Sequence, residues 1–512
     1  MFPVHSLLTY FKLAFLDAEK AGDQYSDEDN VIVTWDSPED PSNPRNWSSL
    51  KKWTNVAIVS AQGTISPVAS TALASGSFVL TNELHVTNSY VLSLPVALYV
   101  LGLGLGPLWL APLSELYGRR QIYVSCYIAF TLLTVGCALS PNITCLSILR
   151  LFTGMAGSAG PSIGGGTIGD MFDKKESGKA QALFGFGPTG GPVIGGVIGG
   201  FIAAGTPTWR WLMWVMAIAA GVTTLISILF LRETYAPFIL SQKLKRLRKE
   251  TGNKTLQTEV VLDAKELFSK TLFRPIRLLF CEPVCTVMSI YMALIYGILY
   301  LHLVTIPLLY GSEGQLYGLY SYDWKNGLVG LAYLGGGAGS ITSTVFCALF
   351  LNRAYLYMVR RNARKNPSQG PPKESPEYRM PPMQLGMLLV PLGLFIFAWT
   401  AANASSEGNI HWVLPLVGAA VFCFGMLITY ICIQTYLVDV FRLYGASALA
   451  AAIVLRSLFG CVFSVIGYKL YVALGYGWGT SLLGFLTLAF VPVPWFLYVY
   501  GERLRGGGDG SR

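Results

Sequence analysis

The sequence predicts an all-α integral membrane protein, with twelve transmembrane helices arranged as two six-helix halves. Three observations carry that prediction. Only 13% of the 512 residues are charged, about half the share of roughly 25% found in soluble chains. Apolar runs of about 18 residues or more recur along the whole length, each long enough to cross a bilayer. Lys and Arg gather in alternate connecting segments, the bias that orients membrane helices.

Taken in order, the spans fall at 53–77, 90–111, 121–140, 145–169, 180–204, 211–231, 283–307, 327–350, 384–403, 411–436, 446–468 and 477–499. An even number puts both termini on one side. With that side cytoplasmic, the inside segments hold 32 of the 37 Lys and Arg residues. The outside loops hold Arg210, Lys325 and Lys469, while Arg150 and Arg456 lie within spans. The chain then divides into a cytosolic tail (1–52), an N-terminal six-helix bundle (53–231), a central cytosolic loop (232–282), a C-terminal six-helix bundle (283–499) and a short tail (500–512). Residues 1–16 lack the basic start and cleavage site of a signal peptide, and read as a surface amphipathic helix or a disordered stretch. The central loop carries KLKRLRKE (243–250), which fits both simple inside topology and contact with anionic headgroups. Pro and Gly in the insert at 351–381 predict a flexible cytosolic loop.

Several function classes drop out. The net charge of +9 follows from topology and is no sign of nucleic-acid binding. The nine cysteines are scattered, mostly through apolar runs, without a CxxC pair, so no disulfide or metal framework is expected. No GxxxxGK[ST] or HExxH motif occurs, and GGGTIG (164–169) and GGGAGS (335–340) lie inside apolar spans. No cofactor and no reactive constellation is expected, so the chain does not read as an enzyme. Equal halves suit a transporter whose substrate cavity lies between them, near the bilayer midplane.

Two stretches carry mechanism. The loop after the second span reads GPLWLAPLSELYGRRQIY (106–123). Gly118 permits a tight turn, and Arg119 and Arg120 are set to pair with carboxylates of a neighbouring helix or simply to satisfy topology. The fifth span contains GFGPTGGPVIGGVIGG (185–200), eight glycines and two prolines in sixteen residues. Both types are poor in helix interiors. In a membrane, though, Gly191-xxx-Gly195 and Gly195-xxx-Gly199 let a neighbouring backbone approach closely, and Pro188 and Pro192 kink the helix. That arrangement suits either a gate or tight packing alone.

The pattern G-P-L-x-x-A-P-L-S-E-L-Y-G-R-R resembles the cytosolic loop motif of the major facilitator superfamily, in the form used by fungal twelve-span drug:proton antiporters. The resemblance extends over nearly the whole chain, through DSPEDPSNPRNWSSLKKW (36–53), RLFTGMAGSAG (150–160), WRWLMWVMAI (209–218), RETYAPFILSQKLKRLRKETGN (232–253), YMALIYGILYL (291–301), QTYLVDVF (434–441) and RSLFG (456–460). It implies the major facilitator fold and proton-driven export of a secondary metabolite, mycotoxin or drug across the plasma membrane by a monomer. It makes Gly106, Pro112, Ser114, Glu115, Gly118, Arg119 and Arg120 a gating loop, with Glu115 at or near the place of the family's usual Asp. It makes Gly187, Pro188, Gly191, Pro192, Gly195 and Gly196 the fifth-span antiporter motif. An importer or polyamine carrier of the same fold is the rival reading, and a non-transporting receptor or scaffold the remote one.

Arg150 sits inside the fourth span, where a charge costs about 2.5 kcal/mol or more unless it faces protein or water. The resemblance gives it a role in proton relay or substrate binding; a hub for backbone carbonyls is the alternative. Arg456 falls in the RSLFG pattern, with a structural role favoured, and Asp439 and Arg442 read as a local charge cluster. The family's acid in the seventh span is replaced by Val304 in YLHLVTIP (300–307), so the proton carrier is sought among His302, Glu282 and Glu83. Cavity candidates with polar tips or aromatic bodies are Gln62, Ser66, Tyr291, Tyr296, Tyr300, Tyr430 and Gln434. The sequons at Asn142 and Asn403 are glycosylation candidates in predicted outside loops.

Overall fold

The computed structural model describes residues 33–86, 88–172, 176–252, 256–257, 264–365, 375–407, 410–441 and 444–506. The expectations for residues 1–16, for Arg442, for 366–374 of the insert and for 507–512 fall outside these.

Among the described residues, ten helical segments are long and apolar enough to cross a membrane, and Lys179–Pro188 with Gly190–Gly205, bent by 44°, makes an eleventh. The last of the ten, Gly445–Gly501, runs for 57 residues. At 1.5 Å per residue that is about 85 Å, far beyond the roughly 30 Å of a hydrocarbon core. Gly475 breaks it with φ 68° and ψ 176°, a conformation glycine adopts without a Cβ clash. Two passes, 445–474 and 476–501, follow, and the total is twelve.

The span limits mostly lie within a few residues of those read from the sequence. The first is longer, Ser49–Leu84, because a 3₁₀ turn at Ala74–Gly76 carries the helix onward rather than ending it. The insert differs more. Residues Asn352–Lys365 continue the eighth span as a basic helix, since no helix breaker occurs before Pro367. The central segment holds two further helices, Ala236–Thr251 and Ala264–Cys281. The acidic stretch before the first span is folded against the first of these. The Asp40 carboxylate accepts from the backbone N–H groups of Ser42 (2.8 Å) and Asp36 (3.1 Å), bonds that hold it below the usual aspartate range. Lys243 reaches Asp36 at 2.6 Å.

Helix pairing repeats between the halves. In the first, span one packs on five, two on four and three on six; in the second, seven packs on eleven, eight on ten and nine on twelve. The contacts between halves follow the same symmetry, two against eleven and five against eight. A pseudo-two-fold relation of this kind leaves a seam through the middle of the molecule.

Candidate functional site

At mid-depth, polar and aromatic side chains bridge that seam. Arg150 of the fourth span is 1% exposed. Its guanidinium donates to the carbonyls of Ala69 (2.9 Å), Ser70 (3.3 Å) and Pro95 (3.3 Å) and lies over the Tyr99 ring at 4.2 Å. These carbonyls sit near Pro67 and Pro95 in the first two spans, so a charge that hydrocarbon would reject is met by backbone dipoles. Ser70 Oγ lies 3.2 Å from the Tyr300 hydroxyl of the seventh span, a bond between the halves. The Tyr300 and Tyr296 rings stand 5.0 Å apart, and Arg456 of the eleventh span lies over Tyr296 at 4.7 Å and over Tyr430 at 5.3 Å. Arg456 Nη1 donates to the Tyr430 hydroxyl, which also accepts from Gln434 Nε2 at 2.9 Å. A continuous string of contacts, passing through the backbone carbonyl of Ser70, thus joins the two intramembrane arginines across the seam.

Of the other cavity candidates, Ser66 adjoins its Arg150 end through Tyr99, and the rest sit apart from it. Gln62 is buried and donates to Ser227 Oγ of the sixth span at 2.8 Å, and Ser66 shares a 3.0 Å bond with Tyr99. Tyr291 packs on Phe490 with ring centroids 5.1 Å apart. His302 is buried edge-on against Phe397 of the ninth span at 4.7 Å, and Glu282 is exposed just before the seventh span. Glu83 pairs with Arg210 and accepts from Thr208 at 2.7 Å at the end of the molecule opposite the basic loops.

At the basic end the loop motif closes into one cluster. Arg119 Nε donates to Asp170 Oδ2 at 2.9 Å, and its Nη1 to Ser114 Oγ at 3.2 Å. The Glu233 carboxylate accepts from the backbone N–H groups of Arg119 (2.9 Å) and Arg120 (3.0 Å), the first turn of the third span, where a negative charge complements the helix dipole. Gly118 has φ 87°, and a Cβ there would stand 2.5 Å from Glu233 Oε2 and 2.8 Å from Phe238. The side chain of Arg120 donates to the Ile228 carbonyl at 3.1 Å rather than to an acid. Glu115 is half-buried beside these groups. Pro112 is buried in the last turns of the second span, and at Gly106 an added Cβ would meet the Met155 carbonyl of the fourth span at 2.6 Å. Asp170 and Glu233 escaped the sequence reading. Their signals were slight: the first acid after an apolar span, and an acid inside a segment otherwise read as basic.

The fifth-span glycines line up on the first span. Added Cβ atoms would meet Thr64 Oγ1 at 2.6 Å from Gly187 and Pro67 at 2.6 Å from Gly191; from Gly195 one would drive into the Val68 carbonyl. Gly196 faces the other way, against the Tyr333 ring of the eighth span, whose hydroxyl donates to the Leu303 carbonyl at 2.8 Å. Pro188 and Pro192 stand within this helix, and the Thr71 hydroxyl donates to the Pro192 carbonyl at 2.6 Å. Asn142 caps a helix, accepting from Cys145 N–H at 2.8 Å, and Asn403 lies within the ninth-span helix rather than in a loop.

The Major Facilitator Superfamily profile matches residues 59–468. The MFS-type transporter atr4 of Stereocaulon alpinum is 42% identical over 479 residues, 93% of this chain and 82% of that protein. The efflux pump radE of Floropilus chiversii is 41% identical over 481 residues, 94% of this chain and 86% of its own length. The MFS-type transporter penM of Penicillium rubens is 40% identical over 501 residues, 97% and 94% of the two chains. Among solved structures, the proton:xylose symporter XylE, bound to 6-bromo-6-deoxy-D-glucose, shares the fold with TM-score 0.60 at 14% identity, over 88% of this chain and 97% of that one. With twelve paired spans around a polar seam and relatives of this kind along nearly its full length, the chain belongs to the major facilitator superfamily and is a membrane transporter, not an enzyme.

Proposed function

We propose that this transporter exports small organic molecules, a secondary metabolite, mycotoxin or drug, by proton antiport with alternating access. It acts as a monomer in the plasma membrane with both termini cytoplasmic, the halves are the two bundles 53–231 and 283–499, and they rock about the seam. The observation that carries the reading is the string from Arg150 to Gln434, which crosses the seam at the depth where a cargo must pass. Export rather than import is supported by the fifth-span motif and by the relative named an efflux pump. A polyamine cargo is disfavoured: none of the twelve spans read from the sequence contains Asp or Glu to receive an organic cation.

The test is a drug and metabolite panel in a pump-deficient yeast, following intracellular retention with and without a protonophore. Wild type is compared with Arg150→Ala and Gly191→Leu at matched expression. Retention lowered by wild type, but not by either variant or in the presence of the protonophore, is the expected result. Greater accumulation in wild type would reverse the direction proposed here.

A further inference from the structure

The two intramembrane arginines are not equivalent. Arg150 is well matched: it donates to three carbonyls, lies over the face of Tyr99 and is closed off from solvent. Arg456 is half-buried. Among the described residues it donates to a single neutral oxygen, the Tyr430 hydroxyl, and its buried Nε has no hydrogen-bond partner. A guanidinium offers five N–H donors in a planar fork, and leaving them unmatched away from bulk water is costly. No carboxylate in the spans is available as counter-ion, since the acids lie in the connecting segments and at span ends. Those nearest the tenth and eleventh spans are committed elsewhere: Asp439 pairs with Arg379 at 2.5 Å at the basic end.

The surroundings of Arg456 are shaped for a particular guest. Tyr296 and Tyr430 present ring faces to the guanidinium, and such faces also stack on planar solutes. Tyr430 Oη accepts from both Arg456 and Gln434, which leaves its own O–H to donate to a third group. The unpaired Arg456 Nε, the Tyr430 hydroxyl and the Gln434 amide thus lie together beside aromatic faces, with no carboxylate bonded to them among the described residues.

We propose that Arg456, with Tyr430 and Gln434, binds the acidic group of the cargo, so that the transported class is planar organic anions, carboxylates or acidic phenols. This deepens the export reading and rests on it for the direction of movement. The pairing is charge-assisted and fork-shaped, so lysine replaces arginine only in part.

The experiment is equilibrium binding to the purified full-length chain in detergent. The probes are 2-naphthoate and anthraquinone-2-carboxylate, each compared with its neutral amide. Wild type should prefer each anion over its amide by about tenfold or more, and Arg456→Gln should abolish that preference by lowering anion affinity far more than amide affinity. Arg456→Lys should restore part of it, and Tyr430→Phe should lower anion affinity about threefold, more than it lowers amide affinity. Should Arg456→Gln fail to fold, by gel filtration and thermal melting, Tyr430→Phe carries the comparison. Equal wild-type affinity for acid and amide, no wild-type binding of either anion, or a parallel loss of acid and amide binding in the variants would each overturn the proposal. Binding at equilibrium involves neither gradient nor direction. A failed export assay therefore leaves this result intact, and a failed anion preference leaves export standing.

Discussion

Glu233 shows how much one side chain can organise at the basic end. Its carboxylate accepts backbone N–H bonds from Arg119, Arg120, Thr234 and Tyr235, all between 2.9 and 3.0 Å. Glu233→Gln keeps the shape but removes the charge facing the helix dipole, and should destabilise the purified chain by about 1–2 kcal/mol in thermal denaturation. An unchanged melting curve would deny it the capping role. Gly118→Ala should cost a similar amount, since φ 87° is strained for any Cβ and the added methyl displaces the same carboxylate. Because both changes remove one interaction, the double variant should lose less than the sum of the singles. Full additivity would show that Gly118 and Glu233 act independently. The loop was legible in the sequence from its glycine and paired arginines, but its partners were not. Asp170 lies 51 positions from Arg119 and Glu233 lies 114 away, and nothing local in a sequence reports a contact over such a separation.

At the scale of the element, the fifth span explains its own composition. Gly187, Gly191, Gly195 and Gly199 recur every fourth residue and so form one stripe, and the backbone of the first span lies along it. Gly196, one position on, receives the Tyr333 ring instead. One helix therefore has a glycine face for its own half and another for the opposite half. Gly195→Leu should abolish both stable expression and transport, because its side chain would have to enter the main chain of the first span. Gly205→Ala, in the same helix with open space around its added Cβ, should be neutral or slightly stabilising, by about 0.5 kcal/mol. Comparable losses from the two substitutions, measured by detergent-solubilised yield and melting temperature, would refute the close packing of spans one and five. The spacing revealed that a backbone would come close. Which backbone it is depends on topology, which the spacing does not encode. The basic continuation of the eighth span was misread for a related reason: Pro and Gly cluster only beyond Lys365, and composition averaged over the whole insert hid the helical start.

For the whole molecule, the repeated pairing of spans makes a specific demand. If the halves rock as bodies, contacts between spans five and eight at the end opposite the basic loops must open in one state and close in another. In this structure they are closed there: a Cβ at Gly327 would stand 3.2 Å from that of Ala204, and Gly330 sits against the backbone of Gly196 and Val197. A disulfide requires Cβ atoms about 3.5–4.5 Å apart, so Ala204→Cys with Gly327→Cys needs only a small adjustment to cross-link. The experiment is done with Cys281→Ser, because that native thiol is exposed. Oxidation should join the two positions in most molecules and reduce cargo transport to background, and a reductant should restore it. Each single-cysteine variant should transport normally under both conditions. Transport that continues after complete cross-linking would mean that spans five and eight need not part at that end, and that the cargo leaves by some route other than the seam.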